Sequence, residues 1–212
     1  MNKNLGNIYT RHHENEREKG FSIMKDERSA LLKNFIGIGK KVMDIGCRDG
    51  VLTKSFVEGN EVLGLDIDNQ ALSEIKSSLG IEVMNIDLNG EWQELGDRKF
   101  DVVVAGEVLE HLYYPEEVIT KVKSHLKEGG LFLGSVPNAF SLKNRLRYLL
   151  GNKRYTPLSD PTHINHFSYQ ELKRILKRHF KYVEIIGLGR YHRFSKWFPN
   201  AIAFILFFKV SD

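Results

Sequence analysis

The stretch VMDIGCRDG, Val42 to Gly50, decides the reading of this chain. An apolar run ends in an acid, and a turn with glycines at 46 and 50 follows, with Arg48 between them. A glycine turn leaving a first strand brings the backbone to the carboxyl end of a sheet, where open α/β sheets bind ligands. Gly46 allows the turn and a close approach by a ligand, and Gly50 allows tight packing at the start of the next element.

Downstream, the chain alternates. KKVMDI, EVLGLDI, IEVMNID, FDVVVAGEV and LFLGSVP read as strands, and the unbroken VVVA of the fourth suggests burial on both faces. VLTKSFVEG, NQALSEIKSSLG and PEEVITKVKSHLKEGG read as the helices between them, the last with proline near its start and glycine at its end. Alternation of this kind predicts a parallel sheet covered by helices on both sides. Upstream, RHHENEREKG (11–20) is a polar arm, and IMKDERSALLKNFIG is an amphipathic helix closed by Gly37 and Gly39. Past residue 138 the rhythm breaks. SLKNRLRYLLG reads as an inserted basic amphipathic helix, NKRYTPLSDPTHINH as a polar loop, and SYQELKRILKRHF as a helix. KYVEIIGL and AIAFILFFKV are strands with no helical period in GRYHRFSKWFPN between them, so they are expected to be antiparallel neighbours.

Bulk properties narrow the class. With 212 residues the chain suits one domain with a sizeable core. The single cysteine, Cys47, excludes an intrachain disulfide and fits a reducing cytoplasm. The opening MNKNLGNIYT has no apolar stretch of signal-peptide type, and AIAFILFF is too short to span a bilayer. The net charge of +4 is a mild bias toward anionic partners.

Three acids stand at strand ends in register: Asp44, Asp66 and Asp87. Asp66, twenty residues beyond Gly46, is placed to accept hydrogen bonds from both hydroxyls of a ribose, and Asp87 lies where an adenine would sit. Their plainer role is to cap the following helices. The spacing departs from G-x-G-x-x-G because Arg48 holds the middle position, which weighs against a nicotinamide dehydrogenase.

VMDIGCRDG, GLDID, NIDL, FDVVVAGEVLEHL and LKEGGLFLGSVPN occur in this order over residues 40 to 138, and in this the chain resembles the class I S-adenosylmethionine-dependent methyltransferases. The branch it looks most like is the small-molecule one that includes the ubiquinone-pathway O-methyltransferases. The resemblance implies an α/β Rossmann-like three-layer sandwich, with a seven-stranded, mostly parallel sheet and an antiparallel last strand. It implies one domain over residues 1–212, with an N-terminal helical arm or lid at 1–36 and a substrate cap inserted at 139–168. Its cofactor would be S-adenosyl-L-methionine, leaving as S-adenosyl-L-homocysteine. Gly46 and Cys47 would approach its methionine portion and Asp44 would orient the amino group. Asp66 would hold the ribose and Ile67 would lie against the adenine. Asp87 and Leu88 would meet the adenine edge. Ala105, Gly106 and Glu107 would line the pocket under the sulfonium. Arg48 is expected to point away from that sulfur, because like charges repel.

The transfer chemistry points to EVLEHL and THINHFS. An alcohol or phenol acceptor must lose a proton, and His111 and His166 are the candidate bases, with His163 behind them. If helical, Glu107, Glu110 and His111 share a face, and two glutamates with imidazoles can bind a divalent ion. That set resembles the metal-dependent terminal 2′-O-methyltransferases of small RNAs; the small-molecule branch implies no metal at the site. Cys47 is a packing residue. Tyr9, with His12 and His13 of the arm, is a candidate lid over the cofactor. Basic residues gather in the last third, at Lys143, Arg145, Arg147, Lys153 and Arg154, and at Arg190, Arg193 and Lys196 among aromatics. They read as a solvated face, or as a cap that meets an anionic or lipid-like acceptor. Peripheral contact with a membrane follows from the same pattern, and nucleic acid ranks lower. Methyl transfer to an oxygen of a small-molecule acceptor in the cytoplasm is the expected function, with a metal-assisted RNA 2′-O-methyltransferase or a cofactor-binding protein that lacks catalysis as the alternatives.

Overall fold

The computed structural model describes residues 22–189 and 192–212. Tyr9, His12, His13, Arg190 and Tyr191 lie outside them, as do the side chains of Arg193 and Lys196. The described residues form two compact units that divide between Val104 and Ala105.

In the first unit, α1 (Lys25–Ile36) buries Arg28, Leu32 and Ile36, one residue per turn of the helix. Strands β1 (Lys41–Ile45) and β2 (Glu61–Asp66) pair in parallel with Val42 opposite Val62 and Asp44 opposite Gly64. Helix α2 (Asn69–Leu79) crosses over to β3 (Glu82–Asn85), which pairs in parallel with β2. Asp68 caps α2 by accepting from the Gln70 and Ala71 amides, and Gly80 closes it in the left-handed region. Val42, Met43, Ile45, Leu63 and Leu65 are buried without remainder, because a parallel sheet is covered on both faces.

The helix expected over 51–59 is only a short 3₁₀ turn, Thr53–Ser55. Ser55 and Phe56 donate three residues back, to Leu52 and Thr53, and only Lys54 donates four back, to Gly50. The Asn60 side chain donates to the Phe56 carbonyl at 2.8 Å, and its backbone amide donates three residues back to Val57 O. β3 also stops short of its expected end, since Asp87 turns the chain by accepting the Asn89 amide on Oδ1.

Strand β4 (Phe100–Gly106) leads into the second unit. There α3 (Pro115–His125) ends five residues before its expected glycine stop. Leu126 is already extended, and LKEGG opens the long strand β5 (Leu126–Pro137). Helix α4 (Leu142–Leu149) is capped by Ser141, and α5 (Tyr169–His179) by Ser168. Strand β6 (Tyr182–Leu188) is followed by two helices the sequence pattern did not show, α6 (His192–Trp197) and α7 (Pro199–Ile202). Pro199 starts the second, where a missing amide costs nothing, so β7 (Ile205–Ser211) begins later than expected. β7 lies antiparallel between β5 and β6, Phe132 opposite Val210 and Ile185 opposite Phe208. The sheet has seven strands in the order β3-β2-β1-β4-β5-β7-β6, parallel except at β7, as the resemblance implied.

Candidate active site

The first unit presents the carboxyl ends of β1, β2 and β3. Gly46, Arg48 and Gly50 all take positive φ, so the turn winds through three left-handed residues in five. Gly50 has no alternative: a Cβ there would stand 2.7 Å from the Ile75 side chain on α2. Arg48 is tolerated because its main chain does the structural work; its amide donates to Asp66 Oδ2 at 2.9 Å. The turn differs from the sequence expectation in one physical respect. The Gly46 and Cys47 amides both donate to Leu65 O, and the Gly50 amide donates to Cys47 O. Those donors are spent inside the protein, and no full helix follows, so the turn shapes a floor instead of offering amides. Cys47 is buried, with Sγ against Gly64, where an added Cβ would meet it at 2.9 Å. Burial pushes its thiol well above the usual range, which makes it packing.

Asp44 is buried at the end of β1 and accepts from Thr53 Oγ1 at 2.6 Å. Burial raises its pKa to about 7, against the Thr53 hydrogen bond; the nearby Asp66 charge raises it further and Arg28 lowers it. Asp66 is likewise raised by burial, although it accepts the Arg48 and Asp68 amides, one on each oxygen. Each oxygen keeps capacity for a second donor. Ile67 is held through its carbonyl by Asn85 Nδ2 at 2.8 Å. Leu88 is buried and its carbonyl accepts from the Trp92 indole.

Arg28 was missed. Among the charges of KDERSALL it reads as a solvated residue, yet it is 1% exposed, and its Nη2 has no hydrogen-bond partner among the described residues. Nη1 is tied to Ser22 Oγ and Ile23 O. The available signal was its spacing from Leu32 and Ile36, which puts it on the apolar stripe. A buried carboxylate and a buried, half-satisfied guanidinium that influences it form a pair of opposite charges. The amino-acid end of S-adenosylmethionine carries an ammonium and a carboxylate, so these residues fit that cofactor.

The second unit holds the rest. Glu107 follows β4 at φ 65, a conformation unfavourable for a side-chain-bearing residue, with its amide donating to Ser135 O. A 3₁₀ turn, Leu109–His111, comes next. Glu107 is therefore not on one helical face with Glu110 and His111, and the structure instead gathers Glu110, His111 and His163, with ligand atoms within 4.8 Å of one another. His166 stands outside that group. Residues of the insert lace back to this loop: Ile164 and Asn165 amides both donate to Glu110 O, and Asn165 Nδ2 donates to Leu112 O. His111 Nδ1 lies 3.0 Å from Thr162 O and His163 Nδ1 lies 3.1 Å from Pro157 O. A carbonyl only accepts, so each Nδ1 carries a proton toward its carbonyl. His163 Nε2 is 3.5 Å from Asp160 Oδ2.

Next to this loop is a cavity of about 390 Å³ lined by Tyr113, Tyr114, Glu117, His166, Phe167 and Glu171, among others. His166 Nε2 is buried there without a hydrogen-bond partner among the described residues, and burial holds the imidazole below its usual pKa. The cavity is acidic, whereas the cations of the insert are outside its lining. The expected match between those cations and an anionic acceptor is not built into this cavity.

A methyltransferase domain model matches residues 16–183, and the chain belongs to that family. Among curated relatives, a ubiquinone biosynthesis O-methyltransferase of Pseudomonas putida (strain GB-1) is 32% identical over 131 residues, 59% of this chain and 52% of the relative. One from Pasteurella multocida is 34% identical over 114 residues, 47% of each chain. The chain thus spans about half the length of the curated relatives it matches. Among solved structures, a SAM-dependent methyltransferase from Archaeoglobus fulgidus superposes with a TM-score of 0.66 at 18% identity, over 97% of this chain and 99% of that one. The plantazolicin methyltransferase in complex with SAH gives 0.65 at 12% identity, over 100% and 91%. These two show the fold.

Proposed function

We propose that this chain transfers the methyl group of S-adenosylmethionine to an oxygen of a small-molecule acceptor. One observation carries the reading: Asp44, Asp66 and Arg28 are buried charge-bearing groups, two of them at successive strand ends beside a floor-shaped turn. Asp44 would face the cofactor's ammonium, Arg28 Nη2 its carboxylate and Asp66 its ribose hydroxyls. Gly46 would give close approach, with Ile67, Asp87 and Leu88 at the adenine and Gly106 and Glu107 on the methyl side. The cofactor supplies a sulfonium whose methyl group is already activated, so the protein's task is alignment and exclusion of water. As the new C–O bond forms and the C–S bond breaks, the acceptor's hydroxyl proton must leave. His166 can take it on Nε2, being neutral and in the cavity wall; His111 Nε2 is the second candidate base. The names of the curated relatives support oxygen as the acceptor atom.

A metal-assisted 2′-O-methylation of RNA is favoured by the gathering of Glu110, His111 and His163, whose ligand atoms lie within 4.8 Å of one another. Calorimetry with S-adenosylhomocysteine tests the primary reading. Asp66→Ala is expected to weaken binding by about 1.5–3 kcal/mol, on the order of ten- to hundred-fold. An unchanged affinity would show that the ribose lies elsewhere, and a wild type that binds no S-adenosylhomocysteine would remove the proposal. Turnover that survives a chelator excludes the metal reading, and tight binding without turnover on any acceptor leaves a non-catalytic binding protein.

A further inference from the structure

Helix α4 is built inside out. Its Asn144 is 4% exposed and donates to Asn138 O, while Leu142 and Leu146 are more than half exposed and Leu149 and Leu150 are 82% and 84% exposed. With about 100° of rotation per residue, these four leucines fall within roughly 100° of arc, and Lys143 and Arg145 lie at its two margins. A helix on a water-soluble face does the reverse. A second apolar patch adjoins it. Arg145 Nη2 reaches Asn200 Oδ1 at 3.2 Å, and around that point Phe194, Trp197 and Phe198 are each 60% exposed or more.

Charge says what covers this face. There is no acidic residue between Glu128 and Asp160, nor between Glu184 and Asp212. Lys143, Arg145, Arg147, Lys153 and Arg154 make no ion pair among the described residues; the two bonds of Arg145 and the one of Arg147 go to neutral oxygens. A second copy would set five cations against five. Nucleic acid would answer the cations and leave four leucines in water. We infer that this face docks on an anionic phospholipid bilayer, with the leucine stripe and Trp197 at the acyl boundary and the cations at the headgroups. This goes beyond the transfer chemistry and does not rest on it.

Flotation of the whole chain with phosphatidylcholine vesicles, with and without phosphatidylglycerol, tests the inference. The wild type is expected to float with anionic vesicles at low salt and to be released at high salt. Removing one of the five cations is expected to weaken partitioning about five-fold. Leu149→Ser with Leu150→Ser should weaken it more than about ten-fold. Trp92 is buried, so a vesicle-induced blue shift of tryptophan emission reports Trp197. Tyr182→Ser, an exposed position on β6, should float as the wild type does. Circular dichroism establishes that the leucine variant is folded. A wild type that ignores anionic vesicles, a folded leucine variant that floats unchanged, or a dimer that the leucine changes dissociate would each overturn the inference.

Discussion

Replacing Asp44 by Asn offers a sharp test of the buried acid. The Asp44 carboxyl titrates at about 7 in the folded chain against 3.8 for the ordinary group. The folded state therefore binds more protons than the unfolded state between these values, and stability falls as pH rises through that window. Below pH 3.8 the contribution is fully present; above 7 it is gone. Between pH 5 and pH 8.5 the single group removes about 3 kcal/mol, from two to three units at about 1.4 kcal/mol each. Asn keeps an oxygen for Thr53 Oγ1 but cannot titrate, so Asp44→Asn should not show that loss. Its absolute stability is offset by about 1–3 kcal/mol if the new amide finds no acceptor, so the informative quantity is the difference in slope. Urea unfolding followed by circular dichroism across that pH range measures it. Every other ionisable group is common to both proteins, Asp66 included. Parallel curves for wild type and variant would refute the argument that burial of Asp44 costs stability when ionised. Bound S-adenosylhomocysteine should flatten the wild-type slope, since an ammonium beside Asp44 favours its charged form.

Gly50→Ala should destabilise by about 1–3 kcal/mol, because φ of 74° and a 2.7 Å approach to Ile75 both oppose a Cβ; thermal unfolding of Gly50→Ala with Ile75→Val should recover part of the loss. His166→Asn should lower kcat by about 10²–10⁴ on a hydroxyl acceptor and remove the acidic limb of the kcat pH profile, with S-adenosylhomocysteine affinity unchanged.

The parallel sheet was legible because burial on both faces writes continuous apolar runs such as VVVA, and the crossover α2 because Asp68 and Gly80 punctuate it. The turn at 46–50 and the acids at 44 and 66 stood out for the same reason: strand ends are where polarity returns. What failed was local. The segment 51–59 reads as a helix, but its amides at Ser55, Phe56 and Asn60 close three-residue turns, a choice that the spacing of its apolar residues does not encode. Whether Glu107 joins Glu110 depends on a positive φ that no spacing rule foretells. Arg28 was hidden because a charged letter on an amphipathic helix defaults to water, and only tertiary packing assigns it to the core. The histidines were visible, but their tautomers are set by Thr162 and Pro157 carbonyls, which belong to an insert with no periodic pattern.

The turn's spent amides have a bearing on ligand choice. Dinucleotide-binding folds grip a pyrophosphate with free amides at this corner of the sheet. Here Gly46, Cys47 and Arg48 have given theirs to β2, and the buried carboxyls of Asp44 and Asp66 stand at the strand ends beside the turn. A phosphate chain would meet no donors from these amides and a like charge, whereas a ligand that is cationic where it touches the turn meets complementary charge. The corner thus works as a filter against phosphates, built from hydrogen bonds that were closed before any ligand arrives.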